Sequence, residues 1–274
     1  MTDIAEWFGG RSRVLFVHAH PDDETITTGG TLAALAEAGR EPLLITLTRG
    51  EQGEVVPGPL EGLVHAHGLA VVRQNELRTA LAMLGVERHA FLGVEPARAE
   101  GLPPTIYEDS GMSWGPDGLA TAAEDVSADA LTRVPAVEAL NDLLAGAYLS
   151  GAQAIVSYDD GGGYGHPDHV LAHRIGRAVA AALELPFWQI VPGSSGGHSG
   201  HYPASRPLER HDVSPWLDRK IAALRGYATQ LTVETVETGE HGDEGAESTG
   251  SGYDIVHVGG QREPVEAFEV FEQL

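Results

Sequence analysis

The sequence predicts an α/β fold: a Rossmann-like, mostly parallel sheet with helices on both faces and a smaller C-terminal extension. Three observations carry this. Short apolar runs without alternation, such as Val14–Val17, Leu43–Leu47 and Ala154–Ser157, suit strands buried on both faces. Longer stretches with apolar residues at helical spacing separate them, as parallel βαβ units require. The first run also ends abruptly in His18-Ala-His-Pro-Asp-Asp-Glu24, and open α/β sheets present their chemistry at the carboxyl ends of their strands.

In chain order, Arg13–Val17 reads as a buried strand and Thr28–Ala38 as a helix closed by Gly39. Pro42–Leu47 reads as a second strand, followed by a polar loop through Glu54. Leu69–Leu84 has the pattern of an amphipathic helix and Ala90–Leu92 that of a brief third strand. From Gly93 to Arg133, Pro103-Pro104, Asp109-Ser-Gly-Met112 and Trp114-Gly-Pro116 mark a long irregular excursion, a feature usually tied to function or disorder. Pro135–Tyr148 returns to helix, Ala154–Ser157 to strand and Pro167–Leu183 to helix. Pro167 suits the first turn of that helix and Asp168 its positive end. Phe187–Val191 follows as a strand. Residues 192–211, rich in Gly, Ser and His, are expected to form a mobile loop with His198, His201 and His211 solvated. Pro215–Thr229 reads as helix, Val233–Gly252 as an acidic flexible insert and Tyr253–Val258 as a strand. The whole, residues 1–274, is read as one catalytic domain: a core over about 12–190 and a C-terminal helix, insert and strand over 191–274.

Composition narrows the function. Forty acidic residues against 17 basic give a formal charge of −23, which repels phosphate backbones and anionic lipid and argues against nucleic-acid and membrane partners. No apolar run reaches the ~20 residues of a membrane span, and the start Met-Thr-Asp-Ile-Ala-Glu has no secretory pattern, so a cytoplasmic location is expected. Oligomeric state is not legible. There is no cysteine, so a metal would be held by His, Asp or Glu.

Two clusters supply those residues. His20-Pro-Asp-Asp23 follows the first strand, with one carboxylate available to a metal and its neighbour to a proton; helix capping explains Asp here but not His-Pro. His166 and His169, in Gly165-His-Pro-Asp-His169, lie i, i+3 at a helix start and can converge on one side. Three protein ligands with one open position mark catalytic zinc. Two of these histidines and one aspartate would hold the metal, leaving one of each for proton transfer. His18 is expected beneath the site as a hydrogen-bonded histidine. Tyr164 could donate to an oxyanion or simply pack; Trp7, Trp188 and Trp216 are read as packing residues, and Trp114 as packing or as the lining of a sugar pocket.

Ala19-His-Pro-Asp-Asp-Glu24 and His166-Pro-Asp-His169 resemble the zinc-dependent de-N-acetylases of the LmbE-like superfamily, which includes N-acetylglucosaminyl-phosphatidylinositol deacetylases. Val17–Glu24, Gly53-Glu-Val55, Asp109–Met112 and Tyr158…Gly162–Val170 are most similar to its mycothiol-pathway branch, which deacetylates N-acetylglucosaminyl-inositol. The resemblance spans about residues 12–190. It implies one Zn²⁺ per chain, with Fe²⁺ the alternative, bound by His20, Asp23 and His169. It implies Asp22 as general base, His166 as the group that stabilises the oxyanion or protonates the leaving amine, and Tyr164 as the group that polarises the carbonyl. Asp168 would orient a histidine, and Arg73 and Asp109 would contact a small amino-sugar substrate. Arg49 before Gly50, the His-rich loop and the acidic insert depart from the pattern. The alternatives are a mycothiol S-conjugate amidase, a deacetylase of another acylated amino sugar, a two-metal phosphoesterase and a metal- or sugar-binding protein without catalysis.

Overall fold

Val14–His18 forms β1 and is buried along its whole length. Its residues alternate between two cores. Val14 and Phe16 pack with Leu32, Leu44, Leu77 and Ile221; Leu15 and Val17 pack with Leu143, Ala172 and Ile175. A strand with no polar face can only sit between two layers. The computed structural model describes residues 3–116, 119–123, 125–192, 206–236 and 250–274.

After β1 come α1 (Asp23–Glu37), β2 (Leu43–Thr46), α2 (Glu61–His67), α3 (Leu69–Leu84) and β3 (Arg88–Phe91). The excursion that follows holds a small hairpin, β4 (Met112–Trp114) and β5 (Ala120–Ala122). Then come α4 (Ala136–Ser150), β6 (Ala154–Ser157), the single turn α5 (Gly162–Gly165), α6 (Pro167–Ala182) and β7 (Phe187–Ile190). The C-terminal part contributes β8 (Leu208–Asp212), α7 (Leu217–Leu224), β9 (Leu231–Thr235), β10 (Gly250–His257), β11 (Arg262–Glu266) and β12 (Phe268–Gln273).

Seven strands make the main sheet, in the order β3-β2-β1-β6-β7-β12-β8. The first five run parallel, and β12 is antiparallel to both of its neighbours. Helices α1, α3 and α7 cover one face, α4 and α6 the other. The chain leaves β1 toward β2 on one side and later returns to pair β6 on the other. This reversal opens a crevice at the carboxyl ends of β1 and β6, where ligands bind in such sheets.

The sequence readings hold for the parallel strands and for α3, α4 and α6, with boundaries moved by a residue or two, but fail at four places. The helix expected over Pro215–Thr229 is α-helical only from Leu217 to Leu224. Helix α1 begins at Asp23 rather than Thr28, because the two acids that look like site residues also favour a helix N-terminus. His211 is not a solvated loop residue. It lies in β8 at 0% exposure, stacked on Trp7 at 3.8 Å, with Thr31 Oγ1 3.0 Å from its Nδ1 and Glu209 2.9 Å from its Nε2. Strands β8 and β9 occupy parts of the segments read as loop and insert; His198, His201 and the remainder of both segments lie outside the described residues. Trp7 and Trp188 are core residues as expected, and Trp216 packs against the same core.

Two glycines report how tightly the first layer is packed. A Cβ on Gly30 of α1 would meet Val213 Cβ at 2.4 Å, whereas one on Gly62 of α2 would meet nothing within 4 Å. Gly30→Ala should therefore cost about 1–3 kcal/mol in urea unfolding through overpacking. Gly62→Ala should stabilise by about 0.4–1 kcal/mol through lost unfolded-state entropy.

Candidate metal centre

The two clusters meet where the sheet places them. Chain leaving β1 supplies His20, Asp22 and Asp23, and chain leaving β6 supplies Tyr158, Tyr164, His166, Asp168 and His169. His20 Nδ1 lies 3.2 Å from Asp23 Oδ2. His169 Nε2 lies 3.3 Å from the same oxygen and 3.3 Å from His20 Nδ1. Tetrahedral ligands about 2.0–2.1 Å from a central ion stand about 3.3–3.4 Å apart, so this triangle has the dimensions of one face of such a site.

Each imidazole is also turned the right way. His169 Nδ1 is 3.2 Å from the Gly162 carbonyl, to which its N–H donates, leaving the Nε2 lone pair facing inward. His20 Nε2 is 3.2 Å from Asp168 Oδ2 and 3.5 Å from Asp109 Oδ1, leaving Nδ1 facing inward. A carboxylate or carbonyl behind a histidine is the usual arrangement behind a metal ligand. With no cation between them the inward lone pairs would repel. The donor set fits a divalent ion, and buried His20, His166 and His169 also lie close enough together to share one.

The supporting groups are fixed in turn. Asp23 Oδ2 accepts from the Tyr158 hydroxyl at 2.7 Å and from His20 N at 2.8 Å. Tyr158 accepts from Ala19 N at 2.9 Å and stacks on His169 at 4.1 Å. Asp168, fully buried, accepts from Ser110 N at 3.0 Å, so the long excursion reaches back to the centre. That excursion is anchored by Asp142 on α4, which takes the Arg98 guanidinium, Ala99 N and the Tyr107 hydroxyl at 2.7–2.8 Å.

His166 caps α6, its Nδ1 accepting from Asp168 N at 3.2 Å. The proton of the neutral ring then sits on Nε2, an assignment made from this hydrogen bond. Burial, with His20 and His169 beside it, pushes its pKa down to about 3. Tyr164 lies half-buried beside His169 and His166, ring centroids 5.1 and 6.1 Å away, and on its outer side 5.8 Å from Trp114. Trp114 is 53% exposed. His18 is fully buried beneath, 3.1 Å from Thr28 Oγ1, and burial pushes it down to about 4.

Arg73 and Asp109 both lie at the edge of the centre. Arg73 is 3% exposed, and its guanidinium is spent on Asp22 Oδ2 at 3.0 Å, Gly50 O at 3.0 Å and the Pro21 carbonyl. Asp109 is buried against His20 and accepts from Gly111 N at 2.8 Å. Both face the site's own residues. Burial pushes the Asp22 carboxyl up to about 7, with Asp23 and Glu24 adding to the rise and Arg73 opposing it. Sequence reasoning gave no role to Tyr158, Ser110, Glu24 or Tyr227. Glu24, Ser110 and Tyr158 lie within the motifs quoted above, whereas Tyr227 carried no signal.

A family model described as PIG-L: GlcNAc-PI de-N-acetylase matches residues 15–180. The chain belongs to this de-N-acetylase family. Relatives named 1D-myo-inositol 2-acetamido-2-deoxy-alpha-D-glucopyranoside deacetylase include one from Kineococcus radiotolerans, 47% identical over 67% of this chain and 48% of the relative. A second, from Kribbella flavida, is 35% identical over 81% of this chain and 84% of the relative. The chain thus spans about half the length of the first. Among solved structures, the N,N'-diacetylchitobiose deacetylase from Pyrococcus horikoshii shares the de-N-acetylase fold at a TM-score of 0.55 and 20% identity, over 82% of this chain and 73% of that one. A deacetylase of the teicoplanin biosynthesis pathway does so at 0.56 and 21%, over 79% and 84%. At such identities the likeness establishes the fold. Among the described residues no helix is long and apolar enough to cross a membrane.

The layer behind the ligands gives a direct test. Tyr158→Phe and Asp168→Asn should each weaken metal binding about 10–100-fold by chelator competition, because each removes a group that aims a ligand. Unchanged affinity in both would mean the ligands aim themselves.

Proposed function

We propose that the chain is a zinc-dependent N-deacetylase that hydrolyses the acetamide of an N-acetylglucosaminyl substrate, with N-acetylglucosaminyl-inositol the first candidate. The observation that carries this reading is the triangle of His20 Nδ1, Asp23 Oδ2 and His169 Nε2, with Asp22 and His166 beside it and outside it. Family membership and the names of the relatives support the substrate class. The tetrahedral spacing favours zinc, while the donor set of two histidines and one carboxylate suits zinc and iron(II) alike.

His20, Asp23 and His169 hold the metal. Once bound, it supplies a water acidified toward neutrality and a Lewis acid for the carbonyl oxygen. Asp22 takes the proton of the attacking water; a base whose pKa lies near the working pH does this best. Tyr164 and His166 donate to the carbonyl oxygen as negative charge builds there. Asp22, now protonated, passes that proton to the departing amine, releasing acetate and the free amino sugar, while neutral His166 keeps its Nε2 proton and stays a donor to the oxygen. Asp168 keeps His20 oriented, and Arg73 keeps the Asp22 carboxylate in place. A non-catalytic binder would have no use for Asp22 and His166 poised beside a completed ligand set.

His20→Ala, Asp23→Ala and His169→Ala should each lose metal by elemental analysis. Asp22→Ala should keep it while amine release falls about 10²–10⁴-fold, the usual worth of a placed base. Equal metal loss in all four variants would overturn the division of roles. The assay compares N-acetylglucosaminyl-inositol, N-acetylglucosamine and a mycothiol S-conjugate. Preference for the conjugate would make the chain an amidase; silence on all three would send the search to other acylated amino sugars. Trp114, exposed beyond Tyr164, is placed to stack on a second ring of the substrate. Trp114→Ala should raise KM for the inositol glycoside about 10-fold, as losing about 50 Å² of buried apolar ring face at roughly 25 cal/mol per Å² would, and leave that for N-acetylglucosamine unchanged.

A further inference from the structure

Asp22 is the one residue of the site held in a strained backbone conformation. Its φ of 117° and ψ of −37° fall where a residue with a Cβ is rarely found and where glycine would sit at ease. A carboxylate is needed there, so the surroundings must hold it. Its carbonyl accepts from Thr25 N and Ile26 N at 2.9 Å, and its side chain is gripped by Arg73 at 3.0 Å. Its amide N–H donates to Glu24 Oε2 at 3.1 Å.

Glu24 is fully buried and is not among the ligand atoms. Its other oxygen, Oε1, receives the hydroxyls of Thr25 and of Tyr227. Tyr227, itself fully buried, follows α7, about 200 residues further along the chain. A carboxyl group buried this deeply is costly, and one that merely capped α1 would sit in solvent at no such cost. Tyr227 and Thr25 instead clamp Oε1 so that Oε2 is presented to the Asp22 amide.

We propose that Glu24, braced by Tyr227, is a positioning residue that holds Asp22 in its left-handed turn and so keeps the base carboxylate aimed at the reaction side of the metal centre. The proposal rests on the reading of Asp22 as the base. Glu24→Gln has nearly the same shape, but it can accept from the Asp22 amide only with its NH₂ turned to the two hydroxyls, which must then stop donating and reorient, so the charged acceptor is lost and the clamp loosened. Tyr227→Phe removes one brace and leaves the rest.

The test is a double-mutant cycle on metal-loaded protein, with kcat, KM and metal content measured for Glu24→Gln, Asp22→Asn and the pair. Glu24→Gln should keep its metal and its KM and lose kcat about 10–100-fold, as a base misplaced by about 1 Å would. In the Asp22→Asn background it should cost nothing further. The same factor in both backgrounds would assign Glu24 a merely structural role and overturn the proposal. If Glu24→Gln does not fold, Tyr227→Phe takes its place in the cycle, with a smaller loss and the same non-additivity. A crystal structure of the variant decides independently of turnover. Asp22 should relax out of positive φ or its carboxylate should leave Arg73, and an unchanged Asp22 would sink the idea. If the wild-type chain releases amine from no substrate, the deacetylase reading falls, and the crystal structure still decides the positioning role.

Discussion

Three atoms that would repel one another without a cation, two imidazole lone pairs and a carboxylate oxygen, are held within 3.3 Å at the mouth of the sheet. The fold supplies rigidity for this at the point where it is cheapest. Strands β1 and β6 are neighbours, paired Val14 to Ala154, Leu15 to Ile155 and Phe16 to Val156, and both are buried on two faces. The residues just past them therefore inherit a fixed separation from the backbone ladder. Side chains on short, well-anchored extensions of strands can be placed more accurately than side chains on free loops.

Around that triangle the polar groups form shells, each fixing the one inside it. Asp168 and the Gly162 carbonyl set the imidazoles; Tyr158 and His20 N set Asp23; Ser110 N sets Asp168. Such buried groups are affordable only because their partners are in place, and removing one leaves another uncompensated. The long excursion between β3 and α4 owes its order to this requirement. It is tethered to Asp142 at one point and to the centre through Asp109 and Ser110 at another.

The C-terminal part is built into the same logic. Strand β12 enters the main sheet between β7 and β8. Glu269 on that strand receives Gly30 N, Thr31 N and the buried ammonium of Lys220 at 2.8–2.9 Å. These contacts fix helix α1 from behind, while Tyr227 reaches Glu24 at its N-terminal end. Thr229 meanwhile donates twice to Glu76 of α3, the helix that carries Arg73. Asp22 is thereby held by segments from opposite ends of the chain.

The amino-acid order by itself determined the layers and the chemistry. Unbroken apolar runs at β1, β2 and β6 and helical spacing in α3, α4 and α6 give the parallel sheet, because those periods reflect which faces must leave water. His20-Pro-Asp-Asp23 and His166-Pro-Asp-His169 give the ligand types without reference to any contact. Tertiary structure alone decided which atoms meet. Arg73 turns inward to Asp22, His211 lies in a strand beneath Trp7, and Tyr158 and Tyr227 join the site through Asp23 and Glu24, each well over a hundred residues distant. Local periodicity records burial, but a hydrogen bond between distant residues is set by strand order and helix packing. Those were fixed only when the whole sheet closed on its two cores.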